Sequence, residues 1–307
     1  MDEIKKTTSE FIEMRALWCE VFEDTEDYVD AFFECWGDSA EAYILTDSDT
    51  SEIKAAATML DMGELIVPSS CIVNASAGHT PAPIIKPCYV SYAIYTNPEL
   101  RSKGYGSAIT EHIRELAFER GGVSMLCPAQ PSLIKFYQPL GYEPRFYATA
   151  RTLNLNGAFF DISALESHEV DKIDINEYAI LREQMLEDTV HIKLSDAAMK
   201  FIDLSSKEFV ASCNNKVIAV IDSIHEDSIF FSEVLAADDL PIEQIEAALA
   251  VIAKVYGKSQ LAYRSPGSEY LQTGRLGAEF VQAMIAGDIA SEGGFKFTHG
   301  YFGFPFD

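Results

Sequence analysis

Apolar residues in the first half of the chain switch between two periods. Phe11, Met14, Trp18, Val21 and Phe22 fall on one face at helical spacing. After an acidic break at Glu23-Asp24, the same spacing returns at Tyr28, Val29, Phe32, Phe33 and Trp36. This predicts a helical hairpin whose second helix is capped by Thr25. Aromatics at such spacing face a core as a rule, and part of the pair is also placed to wall a pocket. Ala42 to Leu45 and Ile53 to Leu60, separated by Thr46-Asp47-Ser48-Asp49, read as a strand hairpin. The stretch from Pro68 to Pro87 is rich in Ser, Ala, Gly and Pro and reads as irregular, with a short strand at Cys71 to Val73. Tyr89 to Thr96 is uncharged and rich in β-branched and aromatic residues, a buried strand ended by Asn97-Pro98. Ile109, Ile113, Leu116 and Ala117 mark a helix that Gly121-Gly122 breaks. Val123 to Cys127 is a short strand, Ser132 is placed to cap a helix over Leu133 to Leu140, and Gly141 sits just past its end. Tyr147 to Leu155 alternates as a closing strand. The order α-α-β-β-β-α-β-α-β contains the β-α-β crossover of an α/β fold with a mixed sheet.

One turn in that order carries chemistry. Arg101-Ser102-Lys103-Gly104-Tyr105-Gly106 joins the Tyr89 strand to its helix. Two glycines let the backbone turn tightly and approach a ligand. The first N–H groups of a helix lack internal partners, and the helix dipole makes that end positive. With Arg101 and Lys103 added, the turn fits an anion, phosphate above all. A basic surface turn before an ordinary amphipathic helix is the plainer reading of the same six residues.

Composition narrows the partners. A length of 307 residues suggests two domains. A net charge of −25 argues against nucleic acid and anionic membranes, so the basic turn stands out as local. The same acidity is compatible with a cationic amine substrate. The first residues, MDEIKKTTSEF, hold no apolar run of signal-peptide length, and no stretch reaches transmembrane length. No export and a cytoplasmic location are therefore expected. The six cysteines are scattered without a C-x-x-C pair and read as reduced thiols, and no Cys/His cluster offers a metal site. Oligomeric state is not legible.

Here the first half resembles the GNAT superfamily of N-acetyltransferases. The family's acetyl-CoA signature is Arg or Gln, two residues, Gly, one residue, Gly or Ala, and Arg101, Gly104 and Gly106 match it. Its later helix carries an aromatic-Tyr-x-x-Leu-Gly-aromatic run, matched by Phe136-Tyr137-Gln138-Pro139-Leu140-Gly141-Tyr142. The opening LWCEVFEDTEDYVDAFFECWGD is similar to the paired helices of two-domain bacterial members. The resemblance implies acetyl transfer from acetyl-CoA to an amine of a small molecule or peptide. It implies that backbone groups of Ile94 and Thr96 hold the pantetheine arm. It implies that backbone amides of Arg101, Ser102, Lys103, Gly104, Tyr105, Gly106 and Ser107 cradle the pyrophosphate. It gives Tyr137 the role of general acid to the leaving sulfur, where a core tyrosine is the bland alternative. The general base is not visible. A non-catalytic acyl-CoA-binding or regulatory protein on the same scaffold is the rival reading.

Past the linker at Asn156-Gly157 the pattern partly repeats. Ile180, Met185 and Leu186 suggest a helix. Phe209 to Ala211 and Val217 to Ile221 flank the turn Asn214-Asn215, and Ile229 to Ala236 is a strand. Ile242, Ile245, Leu249 and Ile252 mark a helix, and Gln260 to Tyr263 a further strand. The expectation is two tandem GNAT-like domains, 1–155 with the acetyl-CoA motif and 156–307 degenerate and packed on the first. In the second copy the strand-to-helix turn reads Ala236-Ala237-Asp238-Asp239-Leu240-Pro241, without glycines and with two aspartates suited to the helix dipole. The chain ends in HGYFGFPFD. By resemblance to the enhanced-intracellular-survival type, the Asp307 α-carboxylate approaches the amine site and Tyr137, and a closing strand without a catalytic role is the alternative.

Overall fold

The computed structural model describes residues 2–7, 11–72, 82–157, 160–267, 278–287, 297 and 299–303. It opens with β1 (Asp2–Lys6), then the expected hairpin of α1 (Ile12–Phe22) and α2 (Glu26–Trp36). Thr25 caps α2, its Oγ1 accepting from Tyr28 N at 3.3 Å. Met14, Trp18, Val29, Phe32, Phe33 and Trp36 are buried, so most of the aromatics are core, while Phe22 is 41% exposed. β1 has one apolar residue in five and carries no strand signal. Lys54, which bonds Asp2 at 2.6 Å and Asp47 at 2.7 Å, fastens it, and such charge is common on edge strands.

β2 (Ala40–Asp47), β3 (Ile53–Val67), β4 (Ile84–Thr96), α3 (Tyr105–Glu119), β5 (Val123–Leu126), α4 (Ile134–Tyr137) and β6 (Glu143–Asn154) complete the first half. Four details differ from expectation. Ser69–Cys71 form a 3-10 turn where a strand from Cys71 was expected, and Val73 lies outside the described residues. β4 starts early, at Ile84, because β3 continues to Val67 and offers it a partner. Pro139 lacks an N–H and splits the expected helix into α4 and a 3-10 turn, Gln138–Leu140. Ser132 caps neither, since it lies inside the 3-10 turn Pro131–Leu133. Gly141 does take the left-handed conformation, at φ 87°.

The second half contains β7 (Val170–Ile173), α5 (Ile175–Met185), β8 (His191–Leu194), α6 (Asp196–Ser205), β9 (Glu208–Ser212), β10 (Val217–Ile224), β11 (Ser228–Ala236), α7 (Ile242–Val255), β12 (Gln260–Pro266) and β13 (Ala278–Ala286). The four-residue strands β7 and β8 are too short to show a period.

The two halves share one sheet. Its order is β1-β2-β3-β4-β5-β13-β6-β12-β11-β10-β9-β7, with β8 added to the far end of β3. β13 is inserted between β5 and β6, pairing Met284 with Leu126 and Val281 with Tyr147. On its other side β6 pairs antiparallel with β12. α6 packs on α2, with Phe201 at 5.4 Å from Phe32 and 6.2 Å from Trp36. Residues of both halves therefore build one continuous apolar core on that side of the sheet.

Candidate active site

The parallel pairing of β4 with β5 runs from Cys88 with Val123 to Ser91 with Leu126 and stops. β4 continues to Thr96, still paired with β3, so one edge of its last residues faces no strand among the described residues. A cavity of about 850 Å³ opens there. Tyr92, Ala93 and Ile94 of β4 form one wall, and Glu279 to Gln282 of β13 form the opposite one. Trp18, Phe22, Asp24, Leu133, Ile134 and Tyr137 also line it.

Local backbone geometry aims β4 into this space. Ala93 sits at φ 49° in a bulge against β3. Asn97 N donates to Lys54 O at 3.0 Å, so Asn97 faces β3. By strand alternation Tyr95 also faces β3, while Thr96 and Ile94 turn their backbone groups to the open edge.

Beyond Thr96 the chain enters the basic turn. Asn97 Oδ1 accepts from Glu99 N at 3.0 Å and ends the strand. Ser102 at φ 64° and Gly104 at φ 89° then reverse the chain. Gly104 caps α3 without a side-chain bond, and the first helical turn holds no acid. Ala108 N donates to Gly104 O at 2.9 Å, which leaves the N–H groups of Tyr105, Gly106 and Ser107 ahead of the first intrahelical bond. Arg101, Ser102 and Lys103 are exposed, and neither cation has a salt bridge among the described residues. Gly106 is needed for close approach, since a Cβ there would lie 2.7 Å from Thr96 Oγ1.

Tyr137 is 6% exposed, its ring 5.0 Å from Phe136 and 6.2 Å from Tyr142. Burial, with Tyr142 and Cys127 nearby, pushes its hydroxyl up to about 12. The group is therefore a proton donor at neutral pH. Asp24, in the α1–α2 turn, accepts from Trp18 Nε1 at 2.7 Å and is half-buried. Tyr92 stacks on Phe32 at 5.5 Å, and burial and its neighbour Tyr28 raise its hydroxyl well above the ordinary tyrosine range.

The structure thus brings Ile94, Tyr137 and the open edge of β4 to one cavity, with the 101–107 turn at the end of that edge. Asp307 lies outside the described residues. Gly303 N donates to Gln282 Oε1 at 3.2 Å, which sets Gly303 beside a cavity residue. Asp24 appears in the sequence only as a helix break between two aromatic faces. Glu279, Phe280 and Gln282 carry no sequence signal, because their strand finds its partners more than a hundred residues away. Among the described residues no group of three or more His, Cys, Asp or Glu is placed to hold a metal ion. No helix among them is long and apolar enough to cross a membrane.

Residues 10–142 match the model of the Acetyltransferase (GNAT) family. Three solved structures extend the likeness to the whole length. A probable N-acyltransferase from Enterococcus faecalis aligns at TM-score 0.67 with 12% identity, covering 93% of this chain and 72% of its own. A GCN5-related N-acetyltransferase from Anabaena variabilis aligns at TM-score 0.68 with 11% identity, covering 93% and 72%. Eis1 from Mycobacterium abscessus aligns at TM-score 0.59 with 10% identity, covering 93% and 73%. The fold is that of a two-domain GNAT protein. No curated protein matches the chain by sequence.

Proposed function

We propose that the protein is an acetyl-CoA-dependent N-acetyltransferase that moves an acetyl group directly to a primary amine of a small molecule or peptide. The observation that carries this reading is the splayed β4–β5 cleft. Its open strand edge ends at the glycine turn before α3, and Ile94 of that edge lines one cavity with Tyr137.

The amides of residues 101 to 107 and the charges of Arg101 and Lys103 hold the pyrophosphate at the positive end of α3. Ile94 and Thr96 offer backbone groups to the pantetheine amides as an added strand would. The co-substrate supplies an activated acyl carbonyl. The acceptor attacks as the neutral amine, so a proton must leave it. Asp24 and Glu279 are the carboxylates lining the cavity, and the α-carboxylate of Asp307, shortly beyond Gly303, is a third candidate acceptor for that proton. Tyr137, held protonated by its burial, hydrogen-bonds the departing sulfur and donates to it. In this reading residues 1–155 carry the acetyl-CoA motif, and residues 156–307 supply the opposite wall through β13.

The test is calorimetric titration with acetyl-CoA, followed by free-thiol release across an amine panel. Binding with amine-dependent release supports the enzyme. Absence of acetyl-CoA binding overturns it. Tight binding with no release across the panel favours a non-catalytic acyl-CoA-binding protein.

A further inference from the structure

Beside the cavity, β13 and β6 carry one extra residue each. Val281 pairs with Tyr147 and Ala283 with Phe146, so Gln282 is the surplus residue on β13. Met284 pairs with Pro144, so Arg145 is the surplus residue on β6. A bulge takes its extra residue out of the ladder and re-aims the side chain. Val281 and Met284 pack on the Tyr137 side, and Ala283 packs with Phe146 on the opposite face. Gln282 lines the cavity on a wall that comes from the second half.

The segment from His299 to Gly303 docks on both bulged residues. Gly300 N donates to Arg145 O at 2.7 Å, and Gly303 N donates to Gln282 Oε1 at 3.2 Å. A backbone N–H is met only by the oxygen of a side-chain amide, so this bond fixes which way the Gln282 amide lies. Its Nε2 donor is left over, and nothing among the described residues accepts from it. Gly303 is itself held firmly. Arg182, 1% exposed, donates from Nη2 to Phe302 O and from Nη1 to Ile192 O, both at 3.0 Å. Its Nε lies 3.4 Å from the carboxylate of Glu233, also buried, which accepts from Tyr178. Gly303 takes φ 68° against that carboxylate, where a Cβ would collide with Oε1. Breaking a buried pair of this kind is strongly unfavourable, so the second half sets the position of Gly303 and, through it, the amide.

Resting on the acetyl-transfer reading above, we infer that Gln282 selects the acceptor: its Nε2 donates to a hydroxyl or carbonyl oxygen near the reacting amine. The preferred acceptor is an amino alcohol or an amino amide, and a plain alkyl or arylalkyl amine is a poor one. Asp24 and Glu279 accept hydrogen bonds and suit the ammonium. The Arg264 guanidinium lies over Phe230 at 5.3 Å and Phe280 at 5.9 Å. Gln282 is thus the neutral donor on this wall, and a substrate without an oxygen leaves it unmet in a filled cavity, which a hydrogen-bonding site discriminates against.

The experiment measures kcat/KM for acetyl transfer to matched pairs: phenylethanolamine against phenethylamine, and glycinamide against propylamine. The wild-type protein prefers the oxygen-bearing member by about tenfold, the contribution of one hydrogen bond. Gln282→Glu keeps the shape and the acceptor for Gly303 but cannot donate when ionised. It brings the ratio to about one with Tm unchanged; Gln282→Leu brings the ratio to the same value at a lower Tm, because Gly303 N loses its acceptor. A wild-type ratio near one, a ratio that survives in both variants, or equal losses on all four amines overturns the inference. If acetyl-CoA binds but no amine in the panel is acetylated, the acetyl-transfer reading itself fails, and this inference with it.

Discussion

The two halves contain the same unit in two chemical states. β4, α3 and β5 form a strand, helix and parallel return strand, and β11, α7 and β12 repeat it. In both, pairing of the two parallel strands stops partway, after Ser91 with Leu126 and after Phe231 with Tyr263. At the start of α3 stand two glycines, two cations without a salt bridge among the described residues, and no acid. At the start of α7 stand Pro241 as cap, Glu243 in the first turn, and Asp239, which bonds Lys216 at 3.0 Å. That aspartate is therefore tied to the residue just before β10, where the sequence had suggested a partner for the helix dipole. Between α7 and its strands, Arg151 of β6 pairs with Glu246, and Tyr263 donates to Glu246 at 3.2 Å. In the first half the side chains along the matching helix face, Ile109 and Ile113, are apolar and buried. The strand–helix–strand frame is thus indifferent to its turn. In the proposed reading anion binding belongs to the six residues of the first turn, and the second unit carries an Arg151–Glu246 ion pair.

Four predictions press on this contrast. The largest effect belongs to Tyr137→Phe, which lowers thiol release about a hundredfold or more, as loss of a general acid does, with acetyl-CoA affinity unchanged by calorimetry. Because the native hydroxyl titrates only near 12, it stays protonated as pH rises, and the pH–rate curve of the wild-type protein shows no alkaline fall near 10. A descending limb at the ordinary tyrosine value counts against the assignment. Next is Gly106→Val. Its new side chain meets Thr96 Oγ1, and overpacking of this kind is worth about ten- to a hundredfold in acetyl-CoA affinity. Unchanged binding shows that the α3–β4 approach is not part of the cradle.

Arg101→Ala and Lys103→Ala follow, each expected to weaken acetyl-CoA by about tenfold at low ionic strength, with the difference shrinking as salt is added. A salt-independent loss points away from phosphate. The smallest effect is a null one. Replacing Ala236 to Pro241 with the basic glycine sequence of residues 101 to 106 leaves the stoichiometry at one acetyl-CoA per chain, because Glu246 of α7, paired with Arg151, puts charge where α3 has the apolar Ile109. Two sites per chain break the comparison and assign the whole difference to the turn.

Much of the first half was legible because its signals are local. Helical aromatic spacing, the Thr25 cap, the glycine turn and the run around Tyr137 each lie within a few residues, and the order of strands and helices follows from their periods. The misses have two causes. β1, β7 and β8 are short or charged and become strands only because a distant edge accepts them. Ser132 fails as a cap because Pro131 and Pro139 impose tighter turns on either side.

The sequence by itself determined the fold of the first half, the position of the basic glycine turn and the identity of the tyrosine that reaches the cleft. Each follows from propensity and spacing over a dozen residues or fewer. Only the tertiary structure decided that the halves share one sheet and that β13 replaces β5 as a wall. It also decided that Gln282 and Glu279 face Tyr92 and Ile94 across the cavity. Strand pairing across more than a hundred residues leaves no mark on local sequence. It is fixed by which edges remain unpaired after the local elements have formed.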